Sequence, residues 1–476
     1  MRLRPRHALL AAVMTATALT GCYADERVQA VNAGSYVGVE YHSEVETVSA
    51  DTPPLILPPT TSSHQDTTQD TTSAYISTTK QTTGLTTKPP RETTTSPATS
   101  ATKPKTTTTA KQTTAAETSA VTSLTTAPPS ATDKTAIKAV WFSYIELSPI
   151  LLGKSESQFK QSFSAMLDDI KTVGANTAIV HVRPFGDALY WSDYYPNSRF
   201  YDGYIGGNAS FDALSAMCDV AKAQGITLYA WVNPFRTESP TLIKTIQQSH
   251  AVKVGTYYYL DPGYADVRTL IANGAAELAA NYDIAGVIID DYFYPTTDKS
   301  FDKQSFEASG KADLSAFRFD NCTDVVKQMR AACNKQGKLF GIAPQGNVGN
   351  NYSTLYADVK LWSSSTVYCD IMLPQIYYGF KNSGAPFDKC LAEWTTLVKG
   401  TGVKLAPSLC VYKAGTEDTW AGDGKFEWQT DSGIVKKQID LIESQSLWGY
   451  TLYSYNFMFT TGYATEAMKK EVSFLF

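Results

Sequence analysis

The sequence predicts a (β/α)8 TIM barrel preceded by a Thr-rich linker without fixed structure, and three observations carry that prediction. About 340 residues after Thr135 have globular composition, with apolar strand-like runs alternating with runs of helical period. The alternation repeats eight times, which over this length suits a closed barrel. No Gly-rich phosphate loop follows a strand, as an open nucleotide-binding sheet would tend to show.

Taken in order, residues 1–22 read as an export signal. Arg2, Arg4 and Arg6 make a positive start, and Ala8 to Leu19 is an apolar run too short to span a bilayer. Leu19-Thr20-Gly21-Cys22 resembles a bacterial lipobox, which implies a lipid on Cys22. That lipid would be the chain's membrane attachment and would hold it on the extracytoplasmic face. Residues 23–135 form the expected tether. From 51 to about 133 it is dominated by Thr, Ser, Pro and Lys, as in Lys105-Thr106-Thr107-Thr108-Thr109. Such a stretch buries too little apolar surface to offset its chain entropy.

Residues 136–476 are the barrel. Strands are expected at 138–143, 176–183, 226–233, 284–291, 338–343, 371–377, 404–411 and 449–454. Helices are expected at 158–173, 211–223, 267–282, 324–336, 388–398, 433–444 and 464–473. Val252 to Leu260, with three consecutive tyrosines, reads as an extra hairpin after the third strand. Of seven cysteines, Cys22 is assigned to lipid. Cys218, Cys322, Cys333, Cys369, Cys390 and Cys410 lie inside expected elements and read as buried thiols.

Net charge is -5, which argues against nucleic acid as a partner. The 28 Tyr and 8 Trp suit stacking on sugars or peptides, or simply a large core. In a barrel the chemistry lies at the C-terminal strand ends. Those ends carry Arg183 and Asp187 after strand two, Trp231 and Asn233 on strand three, and Asp290, Asp291, Tyr292 and Tyr294 after strand four. Gln345 follows strand five, Gln375 and Tyr377 end strand six, and Tyr450 lies on strand eight. Polar and aromatic residues over apolar strand bodies fit a carbohydrate cleft, in an enzyme or in a binding protein. The Asp290-Asp291 pair is the sharpest feature. Two adjacent carboxylates repel, and the coupling raises one pKa toward what a general acid needs. His181 is read as a packed core residue. The missing HExxH motif argues against a His-based metal hydrolase and the missing GxSxG elbow against an acyl hydrolase, and no cofactor is expected.

The pieces Trp141-Phe142-Ser143, Val182-Arg183-Pro184-Phe185-Gly186-Asp187-Ala188, Trp231-Val232-Asn233-Pro234, Gly286-Val287-Ile288-Ile289-Asp290-Asp291-Tyr292-Phe293-Tyr294-Pro295 and Pro374-Gln375-Ile376-Tyr377 run in order through the barrel. With them, residues 136–476 resemble the glycosyl hydrolase-like 10 family of bacterial lipoproteins. The resemblance implies a TIM barrel active on glycans, with peptidoglycan strands as the expected substrate. Adjacent carboxylates on strand four with a tyrosine on strand six also resemble N-acetylhexosaminidases that use the substrate's acetamide as nucleophile. That likeness implies one Asp orienting the acetamide, the other protonating the leaving oxygen, and Tyr377 bonding the acetamide carbonyl. Asp187 and Glu238 are the rival acids.

Overall fold

The structure, a computed structural model, describes residues 136–290 and 293–476. The expected signal peptide, Cys22 and the tether lie outside the described residues, as do Asp291 and Tyr292. β1 (Ile137–Phe142), β2 (Thr177–Arg183) and β3 (Thr227–Val232) open the barrel. The loop after β3 carries a small antiparallel sheet of β4 (Arg236–Thr237), β5 (Ala251–Val254) and β6 (Tyr257–Leu260). Here the expected hairpin gains a third strand. The barrel continues with β7 (Gly286–Asp290), β8 (Leu339–Ala343), β9 (Ile371–Met372), β10 (Lys404–Leu405), β11 (Ser408–Cys410) and β12 (Gly449–Tyr453).

Nine parallel strands run in the order β10-β9-β8-β7-β3-β2-β1-β12-β11. β10 and β11 are two pieces of one barrel position. β10 pairs with β9 and β11 with β12, so the two ends of the sheet meet. Pro407, lying between them, has no N–H to give the ladder. The main chain closes the seam around it: Ala406 N donates to Met372 O at 3.0 Å and Thr451 N to Pro407 O at 2.9 Å. The result is eight strand positions, as the alternation predicts. Pro374 likewise cuts the expected sixth strand to Ile371–Met372, with single bridges beyond it.

The expected helices occur as Glu156–Thr172, Ala213–Gln224, Ala265–Asn281, Leu314–Lys335, Phe387–Val398, Ile434–Ser444 and Glu466–Ser473. Leu314–Lys335 starts ten residues before the expected 324. Asp313 caps it by accepting from Ala316 N, and Arg318 is buried on its inner side, so its first turns lack an apolar stripe. Tyr144–Leu151 escapes sequence reading because Pro149 lies inside it, although Ser143 and Glu146 form a capping box. No helix among the described residues is long and apolar enough to cross a membrane.

Alternation along each strand divides two cores. Ile137, Ala139, Trp141, Ile179, Tyr229, Trp231, Ile288, Ala343, Ile371, Leu373 and Ala406 fill the barrel interior. The intervening residues, such as Val140, Val180, Val287 and Leu452, join the larger core under the helices. Trp141 and Trp231 meet edge to face at 5.1 Å. The Trp141 indole donates to Thr451 Oγ1 at 2.8 Å and Ser408 Oγ at 3.1 Å, joining the first strand to the last two positions.

The seam depends on Gly449, paired with Ile137 at the start of β12. Its φ is 144°, and a Cβ there would stand 1.9 Å from Ile137 O. Gly449→Ala is therefore expected to cost about 3 kcal/mol or more. Chemical denaturation checks this, and unchanged stability would mean the seam is looser than described.

Candidate active site

The phase of β7 decides which way Asp290 points. Ile288 is in the barrel interior, and Asp290 lies two residues further along the same strand. Period-2 geometry sends both side chains inward. Asp290 is 3% exposed and pairs in register with Ala343 of β8. On the other side, Val232 pairs with Ile289, so Asn233 follows at the level of Asp290.

Asn233 is held firmly. Its Nδ2 donates to Pro184 O at 3.1 Å, which turns Oδ1 toward His181 Nε2, also at 3.1 Å. His181 therefore donates through Nε2. Its ring lies flat on Trp231, with centroids 3.6 Å apart and planes at 10°. Burial, with the Arg236 charge second, holds the imidazole well below its usual pKa and so neutral. Arg236 is itself buried, donating from Nε to Pro184 O at 3.1 Å.

Across the mouth, Gln345, Gln375 and Ser408 stand side by side through the bridges Gln345–Gln375 and Gln375–Ser408. Gln375 Nε2 donates to Ala343 O at 2.9 Å, and Tyr377 Oη lies 3.2 Å from Ser408 Oγ. Tyr377 faces Tyr412 at 6.0 Å and Tyr453 at 5.9 Å. Of the residues expected at the site, Trp231, Asn233, Asp290, Gln345, Gln375 and Tyr377 thus gather at one end of the barrel.

Four expected residues point elsewhere. The β2–β3 register shifts between His181 and Arg183, and the irregularity turns Arg183 out of the barrel. There its guanidinium covers the Tyr195 ring at 4.3 Å and packs so close to Gly274 that a Cβ would stand 2.3 Å from Nη1. Asp187 is buried and accepts from Phe185 N at 2.8 Å, shaping its own loop. Burial raises its carboxyl pKa, against the effect of Ser198. Tyr294 is wedged among Phe301, Tyr356 and Arg318, beneath the helix Leu314–Lys335. Tyr450 faces outward, with Lys138 Nζ 5.8 Å from its ring centre. The rival acid Glu238 pairs with Arg199 at 3.2 Å. Asp291 and Tyr292 are outside the described residues.

Tyr412 and Ser408 were not expected at the site, whereas Tyr453, with Trp448 and Tyr450, is among the strand-eight residues that the sequence marks. Thr451 gives the missing signal: a polar residue inside an apolar strand marks the inward face, and Tyr453 shares it. Glu146 is a further buried carboxylate, accepting from Ser143 N at 2.8 Å, Ser454 Oγ at 2.6 Å and Asn456 N at 3.2 Å. It ties the loop after β1 to the loop after β12. Among the described residues, no group of three or more His, Cys, Asp or Glu side chains could hold a metal ion. The six cysteines there are buried free thiols.

The sequence pattern of the family described as glycosyl hydrolase-like 10 matches residues 136–421, more than half of the chain. The chain is 28% identical over 350 residues to the glycosyl hydrolase YngK of Bacillus subtilis (strain 168), covering 66% of this chain and 68% of that protein. It is 29% identical over 364 residues to the glycosyl hydrolase DigH of Escherichia coli (strain K12), covering 66% and 82%. Among solved structures, the glycoside hydrolase domain of PgaB from Bordetella bronchiseptica aligns with a TM-score of 0.46 at 12% identity, covering 67% of this chain and 94% of that one. The catalytic domain of β-amylase from Paenibacillus polymyxa aligns with a TM-score of 0.47 at 12% identity, covering 71% and 98%.

Two outcomes follow from the geometry. A neutral buried His181 supports folding fully above its unfolded pKa of about 6.5 and loses that contribution as pH falls, by up to about 1.4 kcal/mol per unit. Denaturation curves between pH 7 and 5 should therefore slope less in His181→Gln, and identical slopes would contradict the burial. Arg183→Ala should cost at least about 2 kcal/mol through lost packing against Tyr195 and Gly274. A variant as stable as the parent would place this side chain elsewhere.

Proposed function

Because this chain belongs to the glycosyl hydrolase-like 10 family, we propose that it is a lipid-anchored, extracytoplasmic glycoside hydrolase acting on N-acetylated glycans such as peptidoglycan strands. The observation that carries the reading is the inward phase of Asp290, at the level of Asn233 and two strand positions from Gln375 and Tyr377. A carboxyl there stands over a floor of tryptophan and isoleucine, among amide groups and tyrosines. Such a site offers hydrogen bonds to hydroxyls and flat apolar faces to sugar rings.

In this mechanism Asp290 and Asp291 divide the work. One carboxylate accepts from the acetamide N–H and turns the acetamide oxygen onto the anomeric carbon. The other carboxyl gives its proton to the leaving oxygen as the glycosidic bond breaks. Water then opens the cyclic intermediate at the anomeric carbon and returns a proton to the same acid. Tyr377 donates to the acetamide carbonyl. Its hydroxyl is preset by Ser408, whose Oγ also receives the Trp141 indole N–H. The sequence up to Cys22 supports export and lipid attachment, and the Thr-rich stretch supports a reach away from the membrane.

Asp290→Asn and Asp291→Asn should each lower release of sugars from purified peptidoglycan strands by at least about 100-fold. Full turnover in both would reject the site, and binding without products in the parent would leave a glycan-binding barrel. A thiazoline mimic should inhibit competitively, whereas efficient cleavage of a plain glucoside would reject acetamide participation. Cys22→Ser should move the protein out of the detergent phase, and continued partition there would count against the lipid anchor.

A further inference from the structure

To one side of the barrel mouth, the loop after β3 and the loop after β7 enclose a pocket of about 250 Å3. Both loops leave the C-terminal edge of the barrel, the edge that carries Asp290. Phe301 in the pocket wall meets Tyr294 edge to face at 5.8 Å. Tyr294 is four residues beyond Asp290, at most about 14 Å of extended chain. The pocket is thus within reach of an oligosaccharide whose other end lies over Asp290.

The pocket is built on supports that do not themselves touch it. Tyr264, half-buried, lies flat on His250 with centroids 3.5 Å apart and planes at 6°. His250 Nδ1 is held in turn by the Asp266 carboxylate at 2.9 Å. Asp261 is 1% exposed, and each carboxylate oxygen has one fixed donor: Gly263 N at 2.7 Å and Ser305 Oγ at 2.6 Å. Behind it, Arg318 grips Asp302 through two bonds of 2.8 and 2.7 Å, both side chains fully buried. Gln304 adds an exposed amide, and Ser249, Val252, Ser300, Lys303 and Glu307 complete the lining. A braced aromatic ring beside a fixed carboxylate and an amide matches a pyranose, which has an apolar C–H face and hydroxyl donors at its rim.

We propose that this pocket is a distal glycan subsite, binding an N-acetylated pyranose of the chain whose linkage lies at Asp290, several sugars from the cleaved bond. It rests on the glycosidase reading given above and adds a length requirement to it. Binding energy from a remote sugar can serve the reacting centre, so chains long enough to fill the pocket turn over faster.

The test compares the full-length parent protein with Tyr264→Ala, Tyr264→Phe and Gln304→Ala on N-acetylated glycan oligosaccharides of increasing length. Tyr264→Ala should lower kcat/KM about tenfold on long chains only, the scale of one aromatic contact. Tyr264→Phe, which keeps the ring, should match the parent, and Gln304→Ala should shift the same long chains by a smaller factor. An equal loss at every length, or no loss at any length, would overturn the subsite. If the parent cleaves none of these glycans, the glycosidase reading fails separately, and calorimetric binding of N-acetylated chito-oligosaccharides then decides the pocket. Binding lost in Tyr264→Ala supports it, and binding kept overturns it. Tighter binding of the deacetylated, cationic oligomers than of the acetylated ones would also overturn it, since the carboxylates would then be selecting charge.

Discussion

A closed eight-stranded barrel has room inside for only a few side chains at each level, and here two tryptophans take much of that room. Trp141 and Trp231, with Ile179, Ile288 and Leu373, plug the interior just below its C-terminal end. The plug has a polar condition attached. An indole N–H inside a barrel needs an acceptor, and Trp141 finds two, on Thr451 and Ser408. Those acceptors lie on the last two barrel positions, so satisfying one donor also locks the first strand to the end of the chain. The next inward residue on several strands then sits just above the plug, at the C-terminal end of the barrel. Asn233, Asp290, Gln345 and Gln375 occupy that step, and Tyr377 and Tyr453 rise beyond it.

Most of the fold could be read because a barrel repeats a simple unit. Apolar runs of strand length alternate with amphipathic helices, and the expected and observed elements agree within a few residues at most boundaries. The departures have local causes: Pro374 and Pro407 interrupt ladders, Pro149 hides a helix, and buried Arg318 disguises a helix start. The site was harder to read. Both faces of a barrel strand are apolar, so alternation exists but its phase is invisible. One anchored residue per strand supplies the phase. Thr451, bonded to Trp141, makes Tyr453 inward and Tyr450 outward. Ile288 in the interior core makes Asp290 inward. For Arg183 even a known phase fails, because the register shift after His181 reverses it.

The imidazole at the mouth is neutral. His181 stacks on Trp231 and gives its Nε2 proton to Asn233, whose other end is fixed on Pro184. Arg236, bonded to the same carbonyl, adds a positive charge nearby. A histidine so placed is held neutral and orients an amide. Glu146 and Asp187, two buried carboxyls on loops at this end of the barrel, are occupied with local donors that hold those loops in place. Asp290 stands on a strand end over the plug.

The depth of the cleft is written in the prolines. Arg183, Asn233, Ala343, Leu373 and Ala406 are each followed by proline, at 184, 234, 344, 374 and 407. Proline gives no N–H to a parallel ladder and keeps the residue before it extended. Five of six successive strand positions therefore lose regular pairing at about the same height, although at Pro407 the position resumes as β11. β7 is the exception within this group. At the equivalent height it carries Asp290, and in the sequence its proline comes only at 295. The same chain that follows its other strand ends with a residue lacking a donor thus ends this one with an acid. That placement puts a carboxyl on the rim where the neighbouring backbones turn away, which is where a sugar would enter.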